Sequence, residues 1–269
     1  MFREAPYLIS AASVAGSKEA DGPIGKLFDV TDKDDLFGAQ TWEEAESNMQ
    51  KEACVLAAGK AHVDLKKIRY LFGGDLLAAG NSNFNGVEAL QIPMFGLYGA
   101  CSTSGEALAL ASMSAAARIR RNDDRRHIKS FRKCGKKSFR FPLGYANQRP
   151  LSSHWTVTGS GAFSCAVGTE EYRKQNTKSY FSNIRITGVT VGKIVRLWLE
   201  GILKIWVRVV WLPAAMDTIV QNFPGYGKKG KRLRQDYTGD LGSIGRTILF
   251  VSYLEKKGTI YAKNIWIAE

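Results

Sequence analysis

Apolar and polar positions along the first 117 residues follow periods that predict strands alternating with helices. Three apolar stretches predict strands, of which the last two are expected to be buried: MFREAPYLISAASVAG at 1–16, IRYLFGGDLLAAG at 68–80 and LQIPMFGLYGA at 90–100. Two stretches predict helices: TWEEAESNMQKEACVLAAGKA at 41–61 and STSGEALALASMSAAA at 102–117. This order favours an α/β fold, with a mostly parallel sheet that helices cover on both faces.

Local signals sharpen these predictions. Thr41 is the expected N-cap of the first helix, and Glu43 and Glu44 lie in its first turn. The second helix is rich in alanine and carries little charge, so we expect it to be buried on most sides. The segment 21–40 is rich in turn residues and predicts a loop.

The rest of the chain continues with less regular patterns. RFPLGYANQRPLSSHWTVTGSGAF at 140–163 predicts a loop and then a strand with a Gly-Ser-Gly turn, and NIRITGVTVGKIV at 183–195 alternates like a strand. Pro213 is expected near the first turn of a helix, and 236–250 predicts strand, turn and helix start. The last 19 residues show no closing element. Glu4 and Pro6 interrupt the only apolar patch near the N-terminus, and no uninterrupted apolar run is long enough to predict a transmembrane segment.

Charge changes abruptly at residue 118. Residues 1–117 carry 9 Lys and Arg against 15 Asp and Glu, whereas residues 118–269 carry 29 against 10, for a net charge of +13. Residues 118–137 alone hold 10 basic and 2 acidic residues, yet no aromatic interleaving accompanies them, so we do not expect nucleic acid as a partner. The four cysteines show no CxxC pair and no metal-ligand spacing, which favours a reduced compartment and predicts neither metal nor cofactor.

Cys101 is the residue whose position invites a chemical explanation. It lies in LYGACSTSGEALALASM at 97–113, at a predicted turn from a strand into a helix. A helix N-terminus stabilises a thiolate or an anion, and backbone N–H groups at Ser102, Thr103 and Ser104 would converge there, with hydroxyls beside them. Three interpretations stay open: a nucleophile, an anion-binding turn and a small buried side chain.

With these stretches in hand, the chain resembles the stage V sporulation protein AD family, whose members have a thiolase-like fold. The resemblance rests on stretches in family order: GSKEADGPIGKLFD, GGDLLAAGN, QIPMFGLYGACSTSGEALALASM, FRFPLGYANQRP, TVTGSGAF, ITGVTVGKIV, PAAMDTIVQNF and YTGDLG. It implies a first thiolase-like half-fold over 1–187 and a partial second half-fold over 188–269. The family's later part, with its own glycine-rich turn, is absent, so the chain is expected to be truncated at its C-terminal end.

The stretches that depart from the family are the basic and Trp-rich ones, and the genetic code offers an explanation. FRKCGKK at 131–137 has codon choices that read Ser-Glu-Asn-Ala-Glu-Lys after a shift of one base. GILKIWVRVVWLP at 201–213 can be written in codons that, when translation starts at the third base, give Asp-Ser-Gln-Asn-Met-Gly-Ala-Cys-Gly-Met-Ala-Pro. Both products are similar to family sequence. We therefore hypothesise that the chain is the translation of a frame-shifted gene.

The resemblance implies a ligand and a set of site residues. It implies binding of dipicolinic acid, a planar dicarboxylate, alone or as its calcium chelate, at Cys101, Ser102, Thr103 and Ser104. His127 lies where similar proteins have a histidine near the pocket. It is a further expected ligand-binding residue and the second candidate catalytic residue beside Cys101. In thiolase-like acyltransferases such a cysteine attacks a thioester, but the partner residues come from the half-fold that is absent here.

The resulting hypothesis is a spore-formation protein that binds dipicolinic acid and supports its uptake without turnover. The alternatives are an acyltransferase of the thiolase or ketoacyl synthase type that acts through Cys101, and a remnant without function. Expected partners are other uptake proteins of the spore membrane and a second copy of the chain. The expected location is cytoplasmic or peripheral to the inner spore membrane.

Other residues that the sequence singles out are expected to have structural roles. His62 is expected on the surface, and His154 could face the same end of the sheet as the site. Asp75 and Asp240 lie in similar turns and are expected to cap them. Gly159 and Gly161 are expected to permit close strand packing.

Overall fold

The computed structural model describes residues 1–34, 36–74, 86–99, 102–119, 126–133, 159–167, 184–195, 206–225, 236–238 and 265–267. Side chains are described for all of these except residues 42, 126–133, 206–212, 223–225, 236–238 and 265–267. The chain divides into two units. One comprises Phe2–Gly144 and Thr156–Val189, and the other comprises Met1, Tyr145–Trp155 and Thr190–Glu269.

The first unit is built on a six-stranded mixed sheet. Its strands are β1 (Tyr7–Ala15), β2 (Val30–Thr31), β3 (Ile68–Gly74), β4 (Met94–Leu97), β5 (Arg126–Lys133) and β6 (Gly159–Ala166), in the order β2-β1-β6-β5-β3-β4. The pairs β1–β2, β3–β5 and β3–β4 are parallel, and β6 runs antiparallel to both β1 and β5. The helices are α1 (Ser17–Ala20), α2 (Trp42–Lys60) and α3 (Thr103–Ala116).

Helices α2 and α3 cover opposite faces of this sheet. Leu71 of β3 and Ala166 of β6 belong to one apolar cluster, the cluster of α2, which includes Met49 and Ala53 of that helix. Their chain neighbours Phe72 and Cys165 belong to a second one, the cluster of α3, which includes Ala107 and Ala111 of that helix. Successive residues of a strand point to opposite faces, so the two clusters lie on the two sides of the sheet. This arrangement confirms the predicted α/β layers.

Several local predictions are confirmed. Helix α2 begins after Thr41, whose Oγ1 accepts a hydrogen bond from the Glu44 N–H at 3.2 Å. Strands β1 and β3 form where the apolar patterns predicted them, and most of β3 is buried. Gly159 lies opposite Ala15, and a Cβ there would stand 3.2 Å from the Val14 carbonyl oxygen, so glycine does permit close packing. At Gly161 the corresponding distance to Ala12 O is an ordinary 3.8 Å.

Other predictions in this unit are wrong, each for a long-range reason. Strand β4 is not buried, because it is an outer strand of the sheet and Phe95 is 51% exposed. Helix α3 is buried along one face only, since it packs on one side of the sheet. The Gly-Ser-Gly segment does not turn but opens strand β6, where β1 pairs with it.

Over residues 184–195, which the structure describes, the predicted strand is also not formed. Arg185 makes a single bridge with Tyr7, supported by backbone bonds from Leu8 N to Ile184 O and from Ile186 N to Pro6 O. The Arg185 guanidinium lies 5.1 Å from the Tyr7 ring centre. The segment therefore attaches to the start of β1 without becoming a regular strand.

The second unit contains helix α4 (Trp206–Gly225) and a parallel pair of short strands, β7 (Asp236–Thr238) and β8 (Ile265–Ile267). Pro213 was expected near the first turn but lies inside α4, because the apolar residues before it also enter the helix. Strand β8 is a closing element in the last 19 residues, where the sequence predicted none. Lys193 Nζ pairs with Asp217 of α4 at 3.1 Å, and Thr190 Oγ1 bonds to Asn222 at 2.7 Å. None of the helices that the structure describes has the length and apolar character that crossing a membrane requires.

Asp29 connects β1 to the C-terminal end of α2. Its carboxylate accepts the Ser13 N–H at 2.8 Å and pairs with Lys60, whose Nζ also donates to Ala11 O at 3.0 Å. Burial by itself raises the pKa of Asp29. The hydrogen bonds from Lys60 and Ser13 and the charge of Lys60 outweigh burial and hold that pKa below its ordinary value of 3.8.

We expect Asp29→Asn to lower the free energy of unfolding at pH 7 by about 1 kcal/mol, a modest value because Lys60 is 40% exposed. The folded pKa is depressed, so the contribution is complete above the unfolded pKa and lost as pH falls through the folded pKa. Urea unfolding should therefore give different free energies of unfolding for the wild type and Asp29→Asn at pH 7, and this difference should disappear in acid. A double-mutant cycle with Lys60→Met is the control, and a difference that persists in acid would contradict the assignment.

Candidate functional site

The candidate site lies where three parallel strands end at the same edge of the sheet. Gly74, the last residue of β3, pairs with Leu97 at the end of β4 and with Phe131 near the end of β5. Helix α3 begins at Thr103, shortly after β4 ends. In open α/β sheets the carboxyl ends of the strands are the usual location of a binding crevice.

The turn between β4 and α3 is held closed by its own hydrogen bonds. The Gly99 N–H donates to Thr103 Oγ1 at 2.9 Å, and Gly99 O accepts from the Ser102 N–H at 2.9 Å and from Ser102 Oγ at 2.6 Å. The Ser102 N–H, one of the three that we expected to converge on an anion, is therefore used by the turn itself. The Thr103 side chain is fully buried, so we assign it to holding the turn.

Two glycines let this edge pack so closely. A Cβ on Gly74 would stand 1.9 Å from the Leu97 carbonyl oxygen and 2.9 Å from Thr103 Cγ2. A Cβ on Gly99 would stand 2.6 Å from Ser102 Oγ and 2.8 Å from Glu106 Oε2. Real Cβ atoms do not approach other atoms so closely, so a side chain at Gly74 would displace the backbone of β4, and one at Gly99 would displace the side chains of Ser102 and Glu106.

Glu106 brings a negative charge to the same turn. It is the acidic residue in the first turn of α3, and its carboxylate lies against Gly99. A carboxylate there interacts favourably with the positive end of the helix dipole. It also opposes any free anion that approaches the same N–H groups, so it affects which charge state of a ligand the turn would accept.

The predicted site residues do not all lie at this turn. Ser102 is exposed and Ser104 is half-buried in the first turn of α3, and both lie at the site. Cys101 lies outside the described residues. His127 is described only through its backbone and lies near the start of β5. Phe131, which pairs with Gly74, is four positions further along the same strand. At about 3.3 Å per residue it lies about 13 Å along the strand from this edge, so the structure does not bring His127 to the turn.

The remaining candidates lie elsewhere. His62 is exposed, as predicted, and follows α2 with a positive φ of 50°. His154, Asp75 and Asp240 lie outside the described residues. Cys54 and Cys165 are buried in the two apolar clusters and are not joined by a disulfide. Among the side chains described, no group of three His, Cys, Asp or Glu could hold a metal ion.

Sequence reasoning overlooked Gly74 and Glu106. Each belongs to a stretch that the sequence had already singled out, GGDLLAAGN and GACSTSGEALALASM. The local signals are a glycine at the end of a buried strand and an acid in the first turn of a helix, seven residues after the turn glycine Gly99. Neither signal reveals that both residues meet the same turn, because that depends on the pairing of β3 with β4.

Comparison with known proteins places the chain in a family. The model of the stage V sporulation protein AD family matches residues 1–266. Stage V sporulation protein AD of Bacillus subtilis (strain 168) is 32% identical over 256 residues, which are 93% of this chain and 69% of that protein. Membership in this family supports a role in spore formation.

Solved structures show what fold the chain is similar to. OleA of Xanthomonas campestris, crystallised with lauric acid and lauroyl-CoA, has a TM-score of 0.63 at 12% identity and covers all of this chain with 86% of its own. The priming β-ketosynthase of the R1128 polyketide pathway has a TM-score of 0.57 at 12% identity, over 98% of this chain and 82% of that protein. At such low identities the likeness shows the fold alone, and it confirms the predicted thiolase-like α/β architecture.

Proposed function

The chain belongs to the stage V sporulation protein AD family, and from this premise we propose that it binds dipicolinate at the turn between β4 and α3 and supports its uptake into the developing spore. The proposed role is binding without turnover. The observation that carries it is the closed turn from Gly99 to Thr103, set at the ends of three parallel strands and at the N-terminus of a 14-residue helix.

The surroundings of the turn support a flat, partly apolar ligand. Among residues 90–106 Glu106 is the one charged side chain, and Tyr98 directly before the turn is 60% exposed. One carboxylate of dipicolinate would lie at the helix N-terminus, where the dipole favours negative charge. The Ser102 hydroxyl beside it donates to Gly99 O and so holds the turn. A rigid turn keeps the loss of conformational entropy on binding small.

Calorimetry with the intact chain tests the proposal. Dipicolinate should bind with a stoichiometry of one per chain, and isophthalate, which lacks the ring nitrogen, should bind more weakly. The calcium chelate is titrated separately, because the ring nitrogen and both carboxylates are then occupied by the metal. Equal heats for dipicolinate, isophthalate and buffer would rule the proposal out.

Glu106 provides a prediction about the charge of the ligand. We expect Glu106→Gln to raise the affinity for free dipicolinate about fivefold at low salt, because a like charge leaves the turn. The calcium chelate carries no net charge, so its affinity should change much less. Calorimetry on both ligands measures the two effects, and Glu43→Gln, an exposed carboxylate in the first turn of α2, is the control. Equal gains for both ligands would show that Glu106 does not face the ligand.

The alternative function is acyl transfer through Cys101, and the position of this cysteine favours it as a second candidate. Its thiolate would attack a thioester carbonyl, the bond between that carbon and the sulfur of the leaving group would break, and the departing thiolate would take up the proton that Cys101 had released. Incubation with lauroyl-CoA followed by mass spectrometry separates the two functions. Stable acylation of Cys101 supports the alternative, whereas an unmodified chain that binds dipicolinate supports the first proposal.

We propose the other uptake proteins of the spore membrane as partners, and a peripheral position at the inner spore membrane. Both extend the family's role in spore formation to this chain. Flotation of spore membranes with and without a high-salt wash, followed by detection of the chain, tests the location. A chain that never floats with the membranes would contradict it.

A further inference from the structure

The loop between β1 and β2 carries two large apolar side chains on its surface. Leu27 is 78% exposed and Ile24 is 48% exposed. The Leu27 N–H donates to Ile24 O at 2.8 Å, and this three-residue spacing is that of a 3₁₀ turn. Side chains at this spacing lie on the same side of such a turn, so Ile24 and Leu27 form one small apolar surface, the loop patch.

The backbone beneath the loop patch is held by close packing. Gly25 is buried, and a Cβ there would stand 1.9 Å from Ala20 O in α1. The Gly25 N–H donates to Gly22 O at 3.0 Å, and Gly25 O accepts from the Phe28 N–H at 3.3 Å. An ordered turn therefore presents the two side chains, which keeps the loss of backbone entropy on binding small.

The loop leaves the sheet at the same edge as the proposed dipicolinate site. Strands β1, β3, β4 and β5 run in one direction, because β6 is antiparallel to β1 and β5, and β3 is parallel to β4 and β5. The loop begins directly after Ala15 at the carboxyl end of β1, and the site follows the carboxyl end of β4. The sheet order puts four strand spacings between these ends, or about 19 Å along the edge.

The charges near the loop patch permit contact with an anionic surface. Lys18 and Lys26 are exposed, and they balance Glu19 and Asp21 within residues 17–28. The chain as a whole has a net charge of +13, which attracts it to anionic lipids. The apolar stems of the two lysines can lie along a lipid surface while their ammonium groups stay in water.

The composition of the loop suits lipid better than a protein partner. Binding energy at protein interfaces is concentrated in Trp, Tyr and Arg, and residues 16–29 contain none of these. Aliphatic side chains beside lysines are instead typical of segments that lie in the lipid–water boundary. On the basis of the peripheral position proposed above, we propose that Ile24 and Leu27 insert into the surface of an anionic lipid bilayer. The carboxyl edge of the sheet, which holds the dipicolinate site, then lies next to the membrane.

Flotation of the intact chain with protein-free vesicles of phosphatidylglycerol and phosphatidylcholine tests this contact. The wild-type chain should float with the vesicles. Leu27→Asn and Ile24→Asn should each weaken vesicle binding about fivefold, and the double variant at least about tenfold, because apolar area is lost while the charge is unchanged. Ile119→Asn is the matched control. Ile119 is 49% exposed and lies beyond the C-terminal end of α3, so this variant should float like the wild type.

Two further measurements make the outcomes distinct. Far-UV circular dichroism shows whether each variant folds, and if one single variant does not, the other decides. Calorimetry should give Leu27→Asn the dipicolinate affinity of the wild type, because the loop and the site are several strands apart.

The lipid contact is overturned if the wild-type chain does not float with the vesicles, or if a folded double variant floats as well as the wild type. Flotation with spore membranes then separates this failure from that of the proposed location. A chain that floats with spore membranes but not with protein-free vesicles is held there by a membrane protein. A chain that floats with neither contradicts the peripheral position as well.

Discussion

Gly74→Ala should lower the free energy of unfolding by about 3 kcal/mol and weaken dipicolinate binding at least about tenfold. The added methyl would stand 1.9 Å from Leu97 O and 2.9 Å from Thr103 Cγ2. The first of these atoms belongs to the backbone of a paired strand, and the second to a fully buried side chain. Neither can swing away, so the end of β4 and the turn after it must shift together.

Chemical unfolding and calorimetry with dipicolinate measure the two effects of Gly74→Ala. Gly59→Ala is the matched control, because Gly59 lies within α2 and a Cβ there meets nothing within 4 Å. Alanine is the better helix former, so this variant should be about 0.5–1 kcal/mol more stable than the wild type and should bind normally. Should Gly74→Ala match the wild type in both measurements, β3 would not be pressing on β4 as the structure shows.

Cys101→Leu should abolish dipicolinate binding, whereas Cys101→Ser should keep it within a few-fold. If backbone N–H groups and the N-terminus of α3 hold the ligand, the sulfur contributes little. Replacing it by serine should then weaken the binding free energy by about 1 kcal/mol or less. Leucine is larger than cysteine and would fill the mouth of the proposed site.

The same pair of variants separates binding from acyl transfer. An acyltransferase would lose nearly all labelling by lauroyl-CoA in Cys101→Ser, because the hydroxyl of serine is a much weaker nucleophile than a thiolate. Its affinity for dipicolinate would be unaffected. Calorimetry and mass spectrometry on both variants give the two readouts. Equal dipicolinate affinities for Cys101→Ser and Cys101→Leu would place the ligand away from this turn.

The predicted elements that formed are those whose signals are local. Thr41 caps α2 through the Glu44 N–H, three residues along the chain, and no distant residue is needed for that bond. The apolar stretches of β1 and β3 form strands because their side chains suit burial in any sheet that accepts them. The stretches that carry the family resemblance likewise identified the family without any structure.

Pairing between distant segments decided what the sequence could not. The apolar pattern of β4 is equally compatible with a central and an outer strand, and only the order of the sheet exposes Phe95. The Gly-Ser-Gly segment reads as a turn by composition, but β1 and β5 flank it and extend it into β6. The same reason applies to 183–195, whose alternation predicts a strand, although among its described residues only Arg185 forms a bridge.

The candidate site divides in the same way. The sequence by itself determined that a turn with small residues leads from an apolar strand into a helix at 97–104, because those residue preferences are local. Only the tertiary structure decided that Gly74 reaches this turn, that Thr103 is buried beneath it, and that Glu106 lies against Gly99. The parallel register of β3 with β4 and β5 fixes these contacts, and it also sets His127 about 13 Å away along its strand. Register depends on which side chains pack together across the sheet, and no single stretch of the chain contains that information.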